Sequence, residues 1–245
     1  MLQSAMQKKD DEREEISMKY TTLFFDLDET LLDFTQCEYT ALKKAFEKHG
    51  LTLTPERRER YVKINQELWA SFERGEITKA DILARRFRRL FAELSIDNVA
   101  ETFEEDYQSF LSANGCTLPG AVELCRELSK DCDIYILTNG VLETQKGRIK
   151  DSGLQPYIKE MFVSEDIGYQ KPAKEYFDLV MERVSQADKK KILMIGDSLH
   201  SDILGANNAG LTACWYNPKH KENESSARVD VEVDSYEELK RYLQG

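Results

Sequence analysis

At 245 residues with 41% hydrophobic content, the chain has enough apolar mass for one core domain plus an insertion. A net charge of −11 argues against a nucleic-acid polymer as partner, though not against a small phosphate ester, whose binding is decided by local cations. No apolar run approaches a membrane span and no signal-peptide core opens the chain, so a cytoplasmic protein is expected.

Residues 1–17 are polar and charge-rich (KKDDEREE) and read as a solvated tail or an extended start ahead of Met18. Thr22 to Phe25 read as a strand buried on both faces. A long helical stretch follows. Thr54 is an N-cap with Pro55 at the first helical position, and Gly75 closes that helix. Thr78-Lys-Ala-Asp81 resembles a capping box, opening a helix whose Leu83, Phe87, Leu90 and Leu94 form a stripe. Asp97 caps another, with Ala100, Phe103, Tyr107 and Phe110 inward. Residues 34–117 are thus expected to be a helical insertion, dividing a core of 18–33 and 118–245.

Past Pro119-Gly120 the pattern alternates. Helices are expected at 120–130, 141–151, 173–185 and 201–209, and strands at 133–138, 161–164, 192–196 and 211–216, before a short strand and helix end the chain. Such alternation predicts an α/β fold with a doubly wound parallel sheet.

The feature with least structural excuse is DLDET. Asp26 and Asp28 end the first strand one residue apart, where mutual repulsion and burial both count against them. Such a pair needs a cation, a shared proton or a reaction. Thr138-Asn139-Gly140 ends the strand Ile134–Leu137, Gly196-Asp197-Ser198 ends Ile192–Ile195, and Asp202 lies five residues past Asp197. Lys171-Pro172 stands between. In open α/β sheets ligands bind beyond the carboxyl ends of strands, so these clusters are expected to converge.

DLDET, LTNG, KP and GDSLHSD, in that order, resemble the four motifs of the haloacid dehalogenase superfamily, over about Tyr20 to Leu243. FDLDETL, ILTNGVLETQKGRIKDSGL, GDSLHSDILGANNAG and TACWYNPKH further resemble bacterial pyrimidine 5′-nucleotidases that act on unusual nucleoside monophosphates. The resemblance implies a Rossmann-like core with an inserted all-helical cap that moves over the site. It also implies a Mg²⁺-dependent phosphatase. Asp26 would be the nucleophile forming an aspartyl-phosphate, and Asp28 the general acid and then base. Mg²⁺, which prefers hard oxygens, would be held by Asp26, Asp197 and the backbone carbonyl of Asp28. Thr138 and the Asn139 backbone N–H would bind the phosphoryl oxygens. Lys171 would lie beside nucleophile and phosphate, and Asp202 behind it, orienting Lys171 or a metal-bound water.

Dehalogenases lack an acid at the position of Asp28, which favours a phosphatase acting on a small phosphate ester, most of all a nucleoside 5′-monophosphate. A sugar-phosphate phosphatase, a phosphomutase and a catalytically silent binding protein are the alternatives. Cys37, Cys116, Cys125, Cys132 and Cys214 lack CxxC or Cys/His spacing and read as reduced thiols. The run Arg85-Arg86-Phe87-Arg88-Arg89 reads as a solvated face, Trp69 and Phe72 as insertion core, His49 as a helix-end neighbour, and His200 as facing solvent.

Overall fold

The computed structural model describes residues 18–96, 100–184 and 188–245. The charged stretch 1–17 and the capping role expected of Asp97 lie outside the described residues.

Six strands make one sheet: β1 (Thr22–Phe25), β2 (Asp133–Thr138), β3 (Glu160–Val163), β4 (Ile192–Gly196), β5 (Thr212–Tyr216) and β6 (Val231–Val233). Every pairing is parallel, in the order β3-β2-β1-β4-β5-β6. The chain steps outward from β1 to β2 and β3, then crosses back to β4 on the other side. The order therefore reverses between β1 and β4, and a crevice opens beyond their carboxyl ends.

The period of two in β1 explains why it is central. Leu23 and Phe25 enter one apolar cluster with Ile134, Ile136, Leu193 and Ile195, covered by α5 (Ala121–Leu128) and α10 (Tyr236–Gln244). Phe24 points the other way, into a second cluster with Leu137, Met194 and Trp215, covered by α8 (Lys174–Arg183) and α9 (Leu204–Ala209). Each fully buried side chain of this kind contributes about 1.5–3 kcal/mol, so two covered faces leave β1 no polar position except its end.

A third cluster is built from residues between Cys37 and Leu111, carried by α1 (Phe34–Lys48), α2 (Pro55–Glu73), α3 (Lys79–Glu93) and α4 (Ala100–Ser112). The expected caps are present: Thr54 accepts from the Arg57 N–H with Pro55 at the start, and Thr78 and Asp81 form a reciprocal box. The stripe of α3 is turned slightly from expectation. Ile82, Phe87, Leu90 and Phe91 are buried, while Leu83 and Leu94 are half-buried.

The segments entering and leaving this insertion run side by side. Leu32 bridges Thr117, the Asp33 N–H donates to the Cys116 carbonyl at 3.0 Å, and the Leu118 N–H donates to the Leu31 carbonyl at 2.9 Å. Cys37 and Cys116 meet at this crossing, Cα to Cα 6.1 Å. Their spacing of 79 residues hid the approach, because only the side-by-side crossing makes them neighbours. Cys125, Cys132 and Cys214 are free and buried.

On the core side, α6 (Leu142–Ser152) follows β2 and packs against α4, and α7 (Ser164–Ile167) follows β3. The helix expected at 201–209 starts as a wide π turn over Leu199–Ile203 before α9 begins. Among the described residues no helix is long and apolar enough to cross a membrane.

Candidate active site

β1 ends in Asp26, whose N–H still donates to the Ile195 carbonyl of β4 at 2.9 Å, so the sheet itself aims this carboxylate at the crevice. Lys171, 1% exposed, reaches in from the loop before α8 and spends all three of its donors. Its Nζ lies 2.7 Å from Asp26 Oδ1, 2.7 Å from Asp202 Oδ1 and 2.7 Å from the Leu137 carbonyl. A phosphate contact by Lys171 requires exchanging one of these partners; as it stands, the ammonium neutralises and fixes Asp26. Asp202 is likewise fully engaged, since its Oδ2 accepts from the Ser198 N–H at 3.1 Å.

Asp26, Asp197 and Asp202 each offer a carboxylate oxygen within 4.8 Å of the others. Three carboxylates face one ammonium, so the cluster is short of positive charge, and oxygen-only donors suit a hard divalent cation. Asp26 and Asp197 have oxygens to give to such an ion, while Asp202 is tied to Lys171 and the Ser198 N–H. The π turn delivers Asp202, and the Trp215 indole N–H fixes the Asp197 carbonyl at 2.9 Å.

The charges confirm the shortage. Burial pushes the Asp26 carboxyl well above its usual range; Lys171 pulls against this, and Asp202 and Asp197 add to it. Burial likewise pushes Asp197 up to about 7, with Asp202 contributing. Burial pulls the Lys171 ammonium down, yet Asp202 and Asp26 outweigh it and the net direction is up.

A stability prediction follows from the sign. Asp197 ionises near 3.9 when unfolded and near 7 when folded, so the folded chain holds the extra proton between those values. Its contribution to stability is whole below about pH 4 and lost as pH rises through about 7. Without divalent cation the melting temperature is therefore expected to fall from pH 6 to pH 8. Adding Mg²⁺ at a hundred times its dissociation constant should raise it, by about 2.7 kcal/mol or roughly 5–10 °C. At one fixed Mg²⁺ concentration the rise should be larger at pH 8 than at pH 6, because protons compete for the same oxygens. Melting curves with Mg²⁺ and with EDTA test this; equal increments at both pH values would count against a cation on Asp26 and Asp197.

Thr138 closes β2. Its Oγ1 accepts from the Gly140 N–H at 3.0 Å and from Gln145 Nε2 at 3.0 Å, which fills both lone pairs and leaves its own O–H to donate into the crevice. The Asn139 side chain clasps the Lys171 backbone in both directions at 2.9 Å, a role the sequence does not announce. Asp28 turns away from the cluster towards α6, where Gln145 and Arg148 receive it.

The crevice continues into a cavity of about 240 Å³ between the sheet and the inserted helices. Phe34, Trp69, Glu73, Arg86, Gln108 and Leu111 line it from the insertion, and Thr144, Gln145 and Arg148 from α6. Here one expectation is corrected. Arg86 does not belong to a solvated face: it is 2% exposed, with Nε 2.7 Å from Glu104 Oε2 and Nη1 3.3 Å from Asn65 Oδ1. Its neighbours Arg85 and Arg89 do pair at the surface, with Asp81 and Glu67. Of the two aromatics expected in the insertion core, Phe72 is buried there, and Trp69, half-buried, packs against that core and also lines the cavity. His200 is exposed, 3.4 Å from the Glu73 carbonyl, and His49 caps α1.

Inserted helices and core are strapped together beside this cavity. Lys79 Nζ at the start of α3 contacts the Gly140 carbonyl at 2.6 Å and both Ser164 Oγ and Glu165 Oε1 at 2.9 Å. Gln170 Nε2 donates to the Phe72 carbonyl at 2.6 Å.

Known proteins resemble this chain over nearly its whole length. The HAD-hydrolase YfnB of Bacillus subtilis, solved bound to magnesium, is 42% identical with a TM-score of 0.87, covering 92% of this chain and 99% of that chain. The pyrimidine 5′-nucleotidase PynA of Streptococcus pneumoniae is 40% identical over 91% of this chain and 94% of its own length. The pyrimidine 5′-nucleotidase YjjG of Escherichia coli is 34% identical over 92% and 99%. The family model of haloacid dehalogenase-like hydrolases matches residues 20–210, and the chain belongs to that family of hydrolases.

Proposed function

We propose that this hydrolase is a Mg²⁺-dependent cytoplasmic phosphatase that cleaves a nucleoside 5′-monophosphate through an aspartyl-phosphate on Asp26. The observation that carries the reading is the division of labour at the end of β1. Asp26 has Oδ1 on a buried ammonium and Oδ2 free, while Asp28, two residues on, is held elsewhere. This supports a reading in which one carboxylate attacks and the other moves protons. The nucleotide substrate is supported by the two relatives named pyrimidine 5′-nucleotidases and by a cavity that adds an aromatic face, Trp69, to the polar crevice.

The residues divide the work as follows. Asp26 Oδ2 forms a bond to phosphorus as the bond to the leaving oxygen breaks, and Asp28 gives its proton to that oxygen. Asp28 then takes a proton from water, whose oxygen bonds to phosphorus and frees Asp26. The Thr138 O–H donates to a phosphoryl oxygen, and Lys171 favours the ionised form of Asp26 against its burial. Asp26, Asp197 and the backbone carbonyl of Asp28 would hold a magnesium ion, whose positive charge would offset the repulsion between carboxylate and phosphoryl oxygens.

Phosphate release is expected from a panel of nucleotides, sugar phosphates and simple esters, led by pyrimidine nucleoside monophosphates, present with Mg²⁺ and absent with EDTA. Release led by sugar phosphates would overturn the nucleotide assignment. An isomer in place of free phosphate would identify a mutase.

A further inference from the structure

Arg148 has more cost than packing explains. It is 1% exposed, and its Nε and Nη2 have no hydrogen-bond partner. Only Nη1 is used: it donates to Asp28 Oδ1 at 2.5 Å and to Gln145 Oε1 at 2.9 Å. The face of Phe34, 5.5 Å away, offers weak compensation. Burying a guanidinium with two nitrogens unpaired opposes folding, and replacing it with an apolar side chain would remove that cost.

Gln145 lies one turn earlier on the same face of α6. Its Nε2 has two hydrogens and both are taken, one by Asp28 Oδ2 at 2.8 Å and one by Thr138 Oγ1 at 3.0 Å. Each oxygen of Asp28 therefore has one partner from α6, and the amide that holds Asp28 also holds the hydroxyl facing the phosphoryl site.

We infer that Gln145 and Arg148 are positioning residues for proton transfer, clamping the Asp28 carboxylate on the leaving-group side of Asp26. This rests on the acid and base role proposed above for Asp28. An unclamped Asp28 has staggered alternatives at χ1. Arg148 and Gln145 oppose such a swing.

The leaving group separates this from a merely structural role. An alkoxide leaving from uridine 5′-monophosphate needs a proton, whereas 2,4-dinitrophenolate does not. Arg148→Met and Gln145→Leu are expected to lower kcat/KM about 100-fold on uridine 5′-monophosphate and no more than about fivefold on 2,4-dinitrophenyl phosphate. Arg148→Lys, which keeps the charge, should recover part of the loss. Gln145→Leu alters no charge and carries the comparison if Arg148→Met does not fold, as judged by its melting curve. Asp28→Asn run beside them should show the same contrast. Equal losses on both esters in the clamp variants, with the contrast intact in Asp28→Asn, would overturn the inference alone. No contrast in Asp28→Asn would overturn the acid role itself and the inference with it.

Discussion

Asp26→Asn is expected to abolish phosphate release, by at least about 10⁴-fold, without lowering the melting temperature in EDTA. The two halves have separate causes. An amide cannot form the acyl-phosphate bond, so the covalent route closes. Yet its oxygen can still accept from Lys171, and one negative charge leaves a cluster in which burial, Asp202 and Asp197 all work against ionising Asp26. Stability at a reactive site is commonly sacrificed to function, and here the substitution should return some of it. The check is phosphate release together with a melting curve, both at pH 8 with EDTA and with Mg²⁺. Activity within tenfold of wild type would rule out Asp26 as nucleophile.

Lys171→Met should cost both activity and fold. Its ammonium is the partner of two buried carboxylates and of the Leu137 carbonyl, and removing one member of a buried ion pair costs about 3–5 kcal/mol. For a chain of this size that is a fall on the order of 10 °C in melting temperature. The penalty should be smaller at pH 5 than at pH 8, since Asp26, already pushed upward by burial, takes a proton more readily once the ammonium is gone. A methionine variant as stable as wild type at pH 8 would show that the pair contributes nothing to folding.

How much of this was legible in the sequence depends on where each signal is written. Strand ends were legible, because a buried strand has apolar residues on both faces and any carboxylate at its end stands out; Asp26, Thr138 and Asp197 were found this way. Helix starts at Pro55 and Thr78 were legible because capping is local. Gln145 and Arg148 were passed over because polar residues three apart on a helix look like a wet face. Only the turn of Asp28 towards α6 makes them interior. Arg86 was misread for the same reason, its partner Glu104 lying 18 residues further on, on another helix. The meeting of Cys37 with Cys116, and the clasp of Asn139 on Lys171, are equally products of tertiary approach.

The adjoining crossings at Asp33 and Cys116 carry a consequence for how such a chain can change over generations. Because the inserted helices leave where they enter, their length and content make no demand on the order of the sheet. The core closes a short gap whether the intervening stretch is long, short or borrowed from another gene, and lengthening such a loop adds little entropy cost. The cavity walls that Trp69, Arg86 and Gln108 supply can thus be exchanged wholesale. The polar residues at the ends of β1, β2 and β4 stay untouched. Two adjacent splice points suffice to give one reaction a new clientele.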